Sequence, residues 1–127
     1  MASAMLRVDV VGGSELVLGA YSPRSPLVIP VGIQEFCRHV SWNPAKIWQK
    51  WCDPQVQWYE APHGSFIYWN QENRCWWICD SAGRVTYKAR DNHGKIESVQ
   101  SWRSCEGLYS QPPACVQLLQ TSDLNHS

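Results

Sequence analysis

No stretch of this sequence stays apolar long enough to cross a bilayer, which removes a membrane-spanning helix from consideration. No sign of charge prevails either. Eleven basic residues face eleven acidic ones, so the chain as a whole has no field that would gather nucleic acid or anionic lipid. The opening residues lack a basic segment followed by an apolar run and a cleavage site. They also lack the Arg and Ser enrichment of a mitochondrial transit peptide. The expectation is an intracellular protein, soluble or bound in an assembly, with no membrane insertion and no nucleic-acid partner. Charged residues are sparse, at 17%, while Trp, Tyr and Phe make up 12% of the chain, a composition that excludes disorder and favours a packed core.

The usual signatures of chemistry are absent as well. The segment "VGGS" has neither the further glycines nor the lysine of a phosphate-binding loop. Structural zinc sites bring cysteines in close pairs, and the closest pair here is Cys75 and Cys79. Along a strand these would stand about 13 Å apart, too far to share one ion. Cys37, His39, His63 and His93 supply the letters of nucleophilic catalysis without its spacing. Glu60 and Asp80 could form a carboxylate pair of the glycosidase kind, but any chain of this size offers one. The expectation is a non-enzyme without cofactor or metal. The six cysteines, with no secretion signal beside them, read as reduced and mostly buried thiols.

What the chain does contain is tryptophan, eight of them, and a dense stretch at 67 to 87, "IYWNQENRCWWICDSAGRVTY". Within it Cys75, Trp77 and Cys79 would point to one side of a strand, and Trp76 and Ile78 to the other. The preceding "SFIYWN" behaves alike, with Phe66 and Tyr68 opposing Ile67 and Trp69. Both faces are strongly apolar, so the hairpin is expected to be covered on both sides. The flanking segments "VQWYEA" and "RVTYKAR", with turns at Pro62-His63-Gly64, "QENR", "SAG" and "DNHG", extend the pattern to an antiparallel meander.

Upstream, "LRVDVV" at 6 to 11 and "ELVLGAY" at 15 to 21 read as strands. The three prolines of "SPRSPLVIP" predict an extended connection without regular structure. Ile33, Phe36, Cys37 and Val40 then recur at helical spacing. A second helix is signalled by Asn43 as N-cap, Pro44 at the first position and Asp53-Pro54 as a stop, with Ile47, Trp48 and Trp51 on one face. The predicted architecture is therefore mainly β, a small antiparallel sheet with a two-helix insertion at about 31 to 52. It forms one domain over 1 to 120, with 22 to 57 as the extended and helical insertion and 121 to 127 as a polar tail. The triplet Asn125-His126-Ser127 in that tail carries no weight as a glycosylation site.

The segments "VVGGSELVLGAY", "WYEAPHGSFIYWN", "CWWICDSAGRVTY" and "SWRSCEGLYSQPPACVQL" together resemble a tryptophan-rich β-repeat module scattered through protist and algal proteins. The matching positions include Gly19, Tyr21, Gly64, Ile67, Tyr68, Trp69, Trp76, Trp77, Ile78, Gly83, Trp102, Gly107 and Pro112, in the module's order. Ser101 stands where the module has Gly, and segment 22 to 57 is longer than is usual there. The resemblance implies a non-catalytic scaffold without cofactor, often appended to other domains. Residues and resemblance together lead to an expected protein-interaction module or accessory structural subunit. Trp42, Trp48, Trp51, Phe36, Trp69, Trp76 and Trp102 are its candidate interface residues, and other protein subunits its partners. The alternatives are a glycan-binding module using exposed Trp69, Trp76 or Trp102, and a thiol or metal protein.

Overall fold

A computed structural model describes residues 6–12, 14–91, 94–99, 101–105 and 115–120. The tail 121–127, Asn92 and His93 of the "DNHG" turn, and the matched Gly107 and Pro112 lie outside them. Eight strands form one antiparallel sheet. They are β1 (Leu6–Gly12), β2 (Gly19–Arg24), β3 (Trp58–Glu60), β4 (Phe66–Asn70), β5 (Cys75–Cys79), β6 (Val85–Arg90), β7 (Arg103–Ser104) and β8 (Cys115–Gln120). The first seven follow one another across the sheet as a meander, and β8 returns to pair with β1 at the far edge. Two helices, α1 (Val31–Val40) and α2 (Pro44–Trp51), are inserted between β2 and β3. The mainly-β fold with a two-helix insertion is thus present.

The central hairpin has the alternation its sequence implies. Tyr68 pairs with Trp77 and Trp69 with Trp76, and the five residues of β4 are all buried. Its turn is tied by Asn70, whose side-chain oxygen accepts from the backbone N–H groups of Glu72 and Asn73. The next turn is held by Asp80 in the same manner, accepting from the N–H groups of Ala82 and Arg84 at 3.0 Å each. Short polar side chains that replace missing ladder bonds are what make such tight connections stable.

The sheet curls. The hydroxyl of Tyr87 on β6 accepts a 2.8 Å hydrogen bond from the backbone N–H of Ser14, just after β1. Four strands stand between β6 and β1. In a flat sheet, five strand spacings would separate them by about 24 Å, far beyond a tyrosine's reach. The concave side encloses the larger core, built from Val8, Val10, Tyr21, Ile67, Trp76, Ile78 and Tyr87 among others. The convex side carries a second core, in which Ile33 and Cys37 of α1 and Trp48 of α2 pack on Trp58, Phe66, Tyr68 and Cys79. Both faces of the hairpin are therefore covered, one by the sheet itself and one by the helices.

The insertion is anchored at several points. Asn43 caps α2 by accepting from Lys46 N at 3.1 Å, with Pro44 at the first position. The chain leaving α2 meets the β4–β5 turn, where Gln71 N donates to Trp51 O at 2.8 Å. The proline segment is fixed by two indoles, Trp48 Nε1 donating to Pro26 O and Trp58 Nε1 to Ser25 O, each at 2.8 Å.

Two expectations upstream are corrected. "ELVLGAY" is not one strand: Glu15–Val17 forms a 3₁₀ turn, with the Ser14 side chain accepting from Leu16 N, and the strand begins only at Gly19. Pro23 also lies inside β2, in spite of the expected lack of regular structure. Residues 19–21 of β2 pair with β1, whereas 22–24 pair only with β3. That second half is a local edge, where a missing N–H is tolerated.

Candidate functional site

The convex layer carries a connected ladder of aromatic rings that passes from core to surface. Trp48 meets Trp58 and Tyr68 at ring-centroid distances of 5.9 and 5.3 Å, and Tyr68 meets Trp77 at 5.7 Å. Trp77 then meets Trp51 at 6.1 Å, Trp51 meets Phe36 at 6.4 Å, and Phe36 meets Trp42 at 5.7 Å. Such tilted and edge-to-face pairs each contribute about 0.5–1.5 kcal/mol beyond the area they bury. The first members of the ladder are buried, Phe36, Trp51 and Trp77 are half-buried, and Trp42 is 48% exposed.

Around the accessible end lies a recess of about 270 Å³, walled by Ile33, Phe36, Trp51, Trp77, Val85 and Arg84. At its edge α1 and the β5–β6 turn meet through two glycines. A Cβ on Gly83 would come within 2.4 Å of the Gly32 carbonyl oxygen, and one on Gly32 within 2.4 Å of the Phe66 ring. Gly83 also adopts φ +87°, a backbone conformation that glycine takes without a steric cost.

The polar groups of the site are few. Lys88 places its Nζ 4.5 Å from the centre of the Trp77 ring, a cation–π contact. The Trp77 indole N–H is shielded from water and has no hydrogen-bond partner among the described residues. An unmet buried donor costs about 1–3 kcal/mol. Arg84 closes one wall and pairs with Asp80 at 3.2 Å.

The predicted interface residues divide by burial. Trp51 and Phe36 come together at the recess, and Trp42 packs on Phe36 beside it. Trp48, Trp69 and Trp76 do not join them at the surface, being 5%, 9% and 1% exposed. Trp69 and Trp76 lie in the concave core with their indole N–H groups on Asp91, the first on its backbone oxygen at 2.8 Å, the second on its carboxylate at 3.2 Å. Trp102 is half-buried against the same core. Trp77, which sequence reasoning assigned to the sheet alone, is the missed member. The signal for it is Lys88, its cross-strand neighbour, since an aliphatic partner would accompany a fully covered ring.

Four of the described residues weighed for catalysis are engaged in other roles. Cys37 is buried, and Glu60 pairs with Arg24 at 3.0 Å. Asp80 is engaged by its own turn and by Arg84. His63 packs edge-on against Tyr21. Burial raises the thiol pKa of Cys52 to about 12 and that of Cys79 well above the ordinary value. These thiols stay protonated and unreactive at neutral pH. No three His, Cys, Asp or Glu residues gather as a metal site among the described residues.

A second recess of about 300 Å³ opens beside the concave core, lined in part by Gln55, Gln57, Tyr59, Lys95 and Glu97. Tyr59 and Trp76 contact each other beneath it, 6.3 Å apart, yet both rings are buried and offer no open face for stacking. No helix among the described residues is long and apolar enough to cross a membrane. Comparison with protein-family models, curated proteins and solved structures finds no match.

Proposed function

We propose that the chain is a non-catalytic protein-interaction module, working as an accessory subunit of a larger assembly through the helical side of its sheet. The observation that carries this reading is the accessible end of the aromatic ladder, where Phe36, Trp51 and Trp77 line an apolar recess and the exposed Trp42 packs on Phe36. Tryptophans set in a water-excluding pocket are the side chains on which interface energy concentrates. The distribution of exposed apolar residues supports it. Of the seven large exposed ones among the described residues, Leu27, Val28, Val31, Val40 and Trp42 belong to the insertion, and Val11 and Leu16 lie outside it. The resemblance of the sequence to tryptophan-rich β-repeat modules would imply the same kind of role. The glycan-binding alternative is less favoured, because two of the three rings it relied on, Trp69 and Trp76, lie in the core.

Affinity purification of the tagged protein from its native cells, with stoichiometry read by mass spectrometry, tests the reading. The wild-type chain is expected to bring down a fixed set of proteins at constant ratio, and Trp42→Ala to lose them while its melting temperature falls by only about 3–5 °C. Partners retained at full ratio by Trp42→Ala would overturn it.

A further inference from the structure

The helices cover the convex face only as far as Trp77, and beyond it the register of β5, β6 and β7 sets out a strip of cations. Residues directly opposite in an antiparallel pair share a face. Arg90 lies opposite Cys75, Lys88 opposite Trp77, and Arg103 opposite Lys88, so all three stand on the face that carries Trp77. Arg90 and Arg103 are exposed and Lys88 is half-buried. The ion pairs among the described residues engage Arg24, Arg38, Lys50 and Arg84, and none of them includes a member of this strip. The chain is neutral overall, so a local run of one sign is not a by-product of its composition.

We infer that this strip and the adjoining recess receive one occupant, a polypeptide segment in which an apolar side chain is flanked by carboxylates. The inference rests on the protein-interaction reading and supplies the partner's chemistry. The recess of about 270 Å³ has room for one large side chain, against Phe36 and Trp51. Lys88 and Arg90 alternate along β6, about 6.8 Å apart by the rise of a strand. That is also the spacing of alternate side chains on an extended segment lying beside them. Carboxylates at such positions meet the cations where no carboxylate among the described residues pairs with them, and complementarity of this kind directs partner choice and approach.

Two other polyanions fit less well. A nucleobase stacks on an open ring face, and the face of Trp77 is occupied by Lys88. A bilayer is engaged by apolar side chains that protrude beside the cations, whereas those adjoining this strip, Phe36, Trp51 and Trp77, line a recess.

The test uses the full chain and a synthetic probe, acetyl-Glu-Asp-Leu-Phe-Asp-Glu-amide, followed by tryptophan fluorescence and calorimetry at low and high salt. Binding is expected to weaken at least tenfold in Arg90→Glu/Arg103→Glu, to weaken with salt, and to vanish for a probe with Lys in place of every acid. The double variant leaves Lys88 on Trp77, and its melting curve is expected to match the wild type. Absence of probe binding, equal affinity in the double variant, or preferential binding of polyuridylate or phosphatidylserine vesicles would each overturn the inference. In the native-cell purification, partner loss in Trp42→Ala but not in Arg90→Glu/Arg103→Glu overturns the inference and spares the broader reading. Retention in both overturns the broader reading.

Discussion

Trp42 and Trp48 are six residues apart, and each was a candidate for the surface, yet their physical roles differ. Trp48 is 5% exposed, packs against Trp58 and Tyr68, and donates to Pro26 O. Its replacement by alanine empties a core site and unpins the proline segment, so Trp48→Ala is expected to cost about 3–5 kcal/mol in urea unfolding. Trp42 touches the ladder through Phe36 alone and is half exposed, so Trp42→Ala is expected to cost about 1 kcal/mol in the same measurement. A comparable cost for the two would mean that Trp42 is a structural residue and unsuited to a binding test. The pair also marks a limit of sequence reading at this scale. Helical periodicity places Trp48 on the apolar face, but whether a tryptophan near a helix end is covered depends on strands 10 to 30 residues away. Asn43 was legible because a cap acts through its own neighbours, here Lys46 N.

Among the elements, the β4–β5 hairpin was the most legible, since apolar residues on both alternating faces, as in Phe66 to Trp69, state that both faces are covered. The start of β2 was not. "ELVLGAY" has the composition of a strand, but Ser14 bonds to Leu16 N and turns the chain before Gly19. The Ser-Glu pair at its front is a weak signal for such a turn. The seam between α1 and the β5–β6 turn was hidden as well. Gly32 and Gly83 are ordinary in sequence, and only their apposition explains why neither carries a side chain. Gly83→Ala forces a Cβ against the Gly32 carbonyl at a φ of +87°. The variant is expected to lose about 2 kcal/mol or more, read from its urea midpoint. A change within about 0.5 kcal/mol, the range of ordinary surface substitutions, would mean that the turn can relax away from the helix.

For the whole molecule, the curl of the sheet divides the aromatic residues into two cores, and a single sequence does not announce that division. It depends on contacts such as Ser14 with Tyr87, which span the chain. One consequence is global. The two cores hold several acids in their neutral form: the thiols of Cys52 and Cys79, and the phenols of Tyr21, Tyr59 and Tyr68. Desolvation is the leading cause in each case, raising Cys52 from 9.0 to about 12 and Tyr59 from 10.0 to about 12, with Cys79, Tyr21 and Tyr68 shifted the same way. Because these pKa values are higher in the folded chain than in the unfolded one, the folded state retains protons that the unfolded state releases. Their contribution to stability is complete below about pH 9 and is lost progressively as pH rises toward 12. Thermal melts are therefore expected to keep a level midpoint up to about pH 9 and to fall steeply above it. Replacing the three raised thiols, in Cys37→Ala/Cys52→Ala/Cys79→Ala, should move the onset of that fall toward pH 10, where the unfolded phenols begin to ionise. A midpoint still level at pH 11 would mean that the buried acids reach solvent in the folded state, and that the two cores are looser than their packing implies.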